Sequence, residues 1–178
     1  METNLYTITV PPMMRALTNL SGMLDKLSSH AAGKQQEWHP AGLQESNLLN
    51  SHLIADQFPF ARQVQIACDN AKGGAARLAG IEAPKHEDNE KSVAELKARI
   101  DKTVEFLKTI KPEQIAGQEG RKVTMSYWNG KELTGFDYAT QYLIPNFYFH
   151  VTTAYSILRK NGVEIGKSDF IGDLPFTA

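Results

Sequence analysis

Apolar residues recur at intervals of three and four along most of the chain, the period of a helix that buries one face. In "PPMMRALTNLSGMLDKLSSHAAGK" the stripe is Leu17, Leu20, Leu24 and Leu27, with Pro11 and Pro12 suited to a first helical turn and Gly33 to a stop. A second stripe, Phe60, Val64, Ala67, Ala71, Ala75 and Leu78, ends at Gly80 and Pro84. A third comprises Val93, Leu96, Ile100, Val104 and Leu107 on a segment whose other faces are heavily charged, which predicts a solvated outer helix with no chemistry in its carboxylates. The fourth helix is expected to start near Asp137 as N-cap, to be interrupted at Pro145 and to end at Asn161-Gly162.

The connections are equally patterned. Residues 35–59 mix Pro40, Gly42 and Pro59 with a short apolar patch and predict a long crossover with one helical turn. Alternation in "VTMSYW" before Asn129-Gly130 predicts a small β-hairpin with a two-residue type I′ turn. The tail "VEIGKSDFIGDLPFTA" reads as short and extended. Gly73 and Gly74 each cost about 1 kcal/mol relative to alanine within a helix, so another backbone or a ligand is expected to approach them closely; a tight helix crossing is the simpler explanation. The predicted fold is an all-α four-helix bundle with a β-hairpin between its third and fourth helices, one domain over residues 1–178.

Composition narrows the function classes. The 178 residues are 42% hydrophobic, enough to bury a core without covalent staples. With 19 basic and 20 acidic side chains and a net charge of −1, there is no footprint for nucleic acid or an anionic membrane. No apolar run approaches the roughly 20 residues of a membrane span. Cys68 is the single cysteine and the first residues lack a signal-peptide pattern, so a reducing cytoplasm is expected.

Histidine is the side chain whose ordinary pKa lies near neutrality, and neutral imidazole is a common metal ligand. His39 and His86 fall beside prolines and are expected to be exposed. His150 shares one face of the fourth helix with Asn146, Thr153 and Ile157. It is a candidate core histidine, pocket acid/base or metal ligand, and its own helix offers asparagine rather than a second histidine four residues earlier. His30, His52 and Asp56 are further candidate ligands. On the second helix Arg62, Gln65, Asp69 and Lys72 form a polar stripe, which is either a solvated face or, if it faces His150, a source of Asp69 as the carboxylate holding the imidazole tautomer. Cys68 is expected to pack as a small core residue. Tyr138, Tyr142, Phe147, Tyr148, Phe149 and Tyr155 are expected to be mostly core, with some hydroxyls turned toward a pocket that suits a small amphipathic ligand.

The words "LYTITVPPMMRALTNLSGMLDK", "FPFARQVQIACDNAKGGAARLAG" and "LIPNFYFHVTTAYSILRKNGVEIGKSDFIG" make the chain similar, over nearly its whole length, to the bacterial domain of unknown function nineteen-ninety-three family. That family is grouped with the DinB/YfiT-like four-helix bundles, so the resemblance implies the fold and, for this branch, no established activity. The wider superfamily includes metal-dependent thiol transferases and hydrolases that use a histidine near the second helix and an HxxxH pair on the fourth. Aligning that pair with "NFYFHVTTAYSILRKNGV" puts His150 on its second histidine and Asn146 on its first, with His52 standing for the earlier one.

Three functions follow from these readings. The first is binding of a small molecule in a pocket lined by the second and fourth helices, with His150, Asn146, Asp69, Gln65 and Thr153 as polar contacts. The second is a metal-dependent hydrolase or transferase in which His150 and His52 hold a divalent ion such as zinc or nickel. The third is a structural or interaction protein without a ligand. A homodimer through a helix face is expected in each case.

Overall fold

The computed structural model describes residues 3–34, 44–174 and 176. Four long helices close into a ring: α1 (Leu5–Lys34) packs on α4 (Val93–Thr109) and α7 (Ile144–Lys160), and α3 (Phe60–Ala79) packs on the same two. Leu17, Leu20, Leu24 and Leu27 of α1 and the whole Phe60-to-Leu78 stripe of α3 are completely buried. Each large apolar side chain so removed from water contributes about 1.5–3 kcal/mol. The short α2 (Glu45–Leu49) is the single turn expected in the crossover, inserting Leu48 and Leu49 into the core. Residues 35–43, with His39, Pro40 and Gly42, lie outside the described residues.

Helix α1 starts six residues before the position that Pro11 suggests. Asn4 Oδ1 accepts the Thr7 N–H at 3.1 Å while Thr7 Oγ1 accepts the Asn4 N–H at 3.0 Å, a reciprocal cap that starts the helix. Both prolines therefore lie inside it. Their missing N–H groups remove two intrahelical bonds, and this is tolerated because Val10 and Met13 beside them are buried in the bundle. Helix α4 starts with a capping box, Ser92 Oγ accepting from the Glu95 amide at 3.2 Å and Glu95 Oε2 from the Ser92 amide at 3.0 Å.

After α5 (Pro112–Ile115), β1 (Lys122–Thr124) and β2 (Glu132–Thr134) form the expected hairpin, with Val123 opposite Leu133. Its turn is longer than two residues. It spans 125–131 and includes a 3₁₀ turn at Ser126–Trp128, after which Asn129 and Gly130 take positive φ angles of 52° and 79°. Thr134, not Asp137, caps the following α6 (Gly135–Asp137), its Oγ1 accepting from the Asp137 amide at 3.1 Å. A π-helical turn, Tyr138–Leu143, leads into α7. That wider turn is the interruption expected at Pro145, because it relieves the clash a proline ring makes with the preceding helical turn. The tail is not wholly extended. It contains α8 (Lys167–Ile171), held on α1 by Asn19 Nδ2 donating to the Phe170 carbonyl and by the Lys26–Asp169 ion pair.

The π turn also explains Gly74, whereas a Cβ at Gly73 would meet the mobile end of the Arg77 side chain. A Cβ at Gly74 would overlap the Leu143 side chain, so this is the tight helix crossing expected from the sequence. Among the described residues, no helix is long and apolar enough to cross a membrane.

Candidate functional site

Two polar faces of α3 point in different directions. Gln63, Asn70 and Gly74, at spacings of seven and four, face α7 and meet His150, Asn146 and Leu143 in turn. Gln65, Asp69 and Lys72 lie roughly 100° or more around the helix and face α4. The polar stripe read from the sequence therefore does not look across at His150.

His150 is 8% exposed, and its Nδ1–H donates to Gln63 Oε1 at 2.7 Å. Gln63 Nε2 in turn donates to the Phe58 carbonyl at 3.0 Å, which fixes the amide orientation and with it the imidazole tautomer. Burial, and then the positive charge of Arg62, push the His150 pKa down from 6.5 to about 4. The ring is neutral at pH 7. It links α7 to the 51–59 segment, which is also held by Lys160 Nζ on the His52 carbonyl at 2.6 Å and by Asn161 Nδ2 on Ser51 Oγ at 2.8 Å.

The expected tautomer holder, Asp69, is engaged elsewhere. Its Oδ1 accepts from Arg99 Nη2 at 2.8 Å and from Lys72 Nζ at 2.9 Å. Gln65 accepts from Arg62 at 3.0 Å and donates to Glu90 at 2.9 Å. Asn146 Nδ2 donates to Asn70 Oδ1 at 3.0 Å, and Thr153 Oγ1 bonds back to the Phe149 carbonyl at 2.7 Å. His150, Asn146 and Asp69 thus have three separate sets of partners and do not form one polar anchor.

The metal candidates are dispersed in the same way. His52 Nδ1 donates to the Gln57 carbonyl at 2.6 Å, His30 Nε2 to the Asn161 carbonyl at 3.1 Å, and Asp56 is exposed. Among the described residues, no three histidine, cysteine, aspartate or glutamate side chains gather as a metal site. With Asn146, bonded to Asn70, at the position of a first histidine, α7 offers His150 alone toward a zinc or nickel centre, and the residues present do not complete one.

Beside His150 is a groove of about 460 Å³ between α7 and the 51–59 segment, lined by Leu53, Gln57, Tyr148, Phe149, Thr152 and Thr153. Phe149 is 52% exposed and its ring lies edge-on to His150 with centroids 5.1 Å apart. Leu53 and Phe58 are also exposed on this side. Gln57 Oε1 is buried and finds no hydrogen-bond partner among the described residues.

Sequence reading missed Arg99 altogether. It is 2% exposed on the supposedly solvated α4, where Nη1 meets Glu90 at 3.0 Å and Asp88 at 2.7 Å. Burial alone would raise the Asp88 and Glu90 pKa values, but hydrogen bonds to Arg99, joined by Arg62 at Asp88 and Gln65 at Glu90, outweigh it and lower both. Asp88 holds a φ of 55° to reach this position. One signal was available: Leu96, Arg99, Thr103 and Leu107 are spaced by three and four, so Arg99 borders the apolar stripe. His86, expected to be exposed, is half-buried and its Nδ1 is fully covered.

The family model described as "Domain of unknown function (DUF1993)" matches residues 5–171. No curated protein matches the chain. Among solved structures, a crystal structure of a DinB family member from Shewanella denitrificans, determined at 1.83 Å, is 44% identical. The match covers 98% of this chain and 95% of that one, with a TM-score of 0.90.

Proposed function

The chain belongs to the DUF1993 family and has a DinB-like bundle fold, and we propose that it binds a small amphipathic molecule in the groove between α7 and residues 51–59. The observation that carries this reading is Gln57 Oε1, a buried acceptor without a partner in the wall of a groove that also exposes Phe149 and Leu53. A buried acceptor left unmet costs about 1–3 kcal/mol. A ligand with an apolar body covers the aromatic face, and one N–H or O–H donor on it satisfies Gln57 once that amide turns into the groove.

In this reading His150 is a positioning residue. Through Gln63 it holds the Phe58 carbonyl, and so the 51–59 wall, against α7. Thr153 lines the groove with its methyl, because its hydroxyl is spent on the Phe149 carbonyl. Asn146, Asp69 and Gln65 take no part in this groove. The dispersed histidines favour binding over metal-dependent hydrolysis or group transfer.

N-phenyl-1-naphthylamine, a neutral aromatic with one N–H donor, is the test probe. Its fluorescence is expected to rise saturably with the wild-type chain and to fall back with Thr153→Trp, which fills the groove, or Gln57→Ala, which removes the acceptor. Equal binding by all three proteins rejects the reading. A wild-type chain that binds neither this probe nor its hydroxyl counterpart, 1-naphthol, favours the structural alternative.

A further inference from the structure

On the opposite side of α3, residues 84–90 fold over α4 and leave a cleft of about 610 Å³. Pro84, His86 and Glu90 form one wall, and Ala98, Arg99 and Lys102 the other. Arg99 spends both terminal nitrogens inside the protein, Nη1 on Glu90 and Asp88, and Nη2 on Asp69 at 2.8 Å and the Gln65 carbonyl at 3.3 Å. Its Nε–H is buried and has no acceptor among the described residues. His86 Nδ1, in the same lining, is also buried without a partner. Interiors rarely leave even one such nitrogen unmet, and here two belong to residues that line one cleft.

The charges around them indicate what is missing. Glu90 is already held by Arg99 and Gln65. Glu95 is committed to the Lys91 and Ser92 amides, and Glu87 accepts from Asn89. Lys85 and Lys102 line the cleft as well, and neither is within ion-pair distance of a carboxylate among the described residues. Arg99 Nε–H, Lys85 and Lys102 are therefore uncommitted donors, and His86 Nδ1 is one in the tautomer that carries its proton there. We propose that this cleft is a second binding site, specific for a small organic carboxylate whose oxygens accept from Arg99 Nε–H and His86 Nδ1–H while its apolar body covers Pro84 and Ala98. Such charge-assisted bonds are roughly twice as strong as neutral ones, and Lys102 adds attraction at the mouth.

His86 reports occupancy. Burial, followed by the charges of Lys72 and Arg99, lowers its pKa, with Asp69 and Glu90 acting in the opposite direction. A carboxylate beside the ring favours the charged imidazolium and raises that pKa.

The probe is benzoate, with benzamide as its uncharged match, each titrated into the full chain at constant ionic strength and followed by the NMR signals of the His86 ring and the Ala98 amide. Saturable shifts are expected with benzoate, together with an upward move of the His86 pKa. His86→Phe should weaken binding roughly tenfold, and Ala98→Trp, which fills the cleft without touching the Arg99 ion pairs, should abolish it. Thr153→Trp in the α7 groove should leave it unchanged, which separates this site from the first. Benzamide binding as tightly as benzoate overturns the carboxylate assignment. Shifts that remain linear with concentration, or that persist in Ala98→Trp, overturn the site.

Discussion

Replacing His150 by glutamine tests whether the buried imidazole is a neutral tether. In the folded protein its pKa is pushed from 6.5 down to about 4, chiefly by burial and then by Arg62. The unfolded chain takes up a proton near pH 6.5 that the folded chain refuses until about pH 4. Stability therefore rises with pH through that window, is complete above it, and is lost as pH falls through it. At 1.36 kcal/mol per pKa unit, the loss attributable to His150 between pH 7 and pH 5 is about 2 kcal/mol. Glutamine retains an N–H to donate to Gln63 but cannot titrate. Urea unfolding at both pH values, with wild type and His150→Gln side by side, should show the wild type losing about 2 kcal/mol more than the variant. Asp88 and Glu90, held low by Arg99, titrate in both proteins and cancel in the comparison. Equal losses in the two proteins would refute a buried neutral His150.

Other predictions address packing and reactivity. Gly74→Ala should destabilise by about 1–3 kcal/mol, because its methyl overlaps Leu143. Gly73→Ala should gain up to about 1 kcal/mol, because the atom it meets at 2.8 Å is the mobile end of Arg77; thermal melts of the pair decide, and the reverse order contradicts the crossing geometry. Arg99→Met removes the cation shared by Asp69, Asp88 and Glu90 and should cost about 3 kcal/mol in urea unfolding. A loss near zero would mean that the network is solvated. The Cys68 thiol, pushed up to about 12 chiefly by burial, should be inert to a thiol reagent at pH 8 until the chain is unfolded in urea. The expected homodimer is tested by sedimentation at micromolar concentration, where a species of monomer mass alone removes it.

The helices were legible because each buries one face, and burial of one face imposes its period on the residue types. Leu17 to Leu27 and Phe60 to Leu78 therefore reveal their helices and their inward sides together. Local backbone chemistry was legible where a residue has one dominant use, as at Gly80, which ends α3 in the left-handed conformation, and at Asn129-Gly130. It misled where two uses compete. Pro11 is a good first residue of a helix, but it is also tolerated two turns further in once Asn4 and Thr7 supply the cap.

The site residues were identifiable by type and not by pairing. Sequence spacing shows that His150 and Asn146 share a face of α7, and it cannot show which face of α3 meets them, because Gln63 and Gln65 are equally polar and two positions apart. Only packing, which inserts Leu143 against Gly74, sets the rotation of α3 that gives Gln63 to His150 and leaves Asp69 to Arg99. Arg99 shows the same division. Its spacing places it at the border of the apolar stripe, but that does not name its partners, and it becomes a core residue when residues 84–90 fold back to supply Asp88 and Glu90. The sequence by itself determined the bundle, since hydrophobic period is a local property. The tertiary structure decided the polar partnerships between elements, since those depend on helix rotation and loop path, which no local pattern encodes.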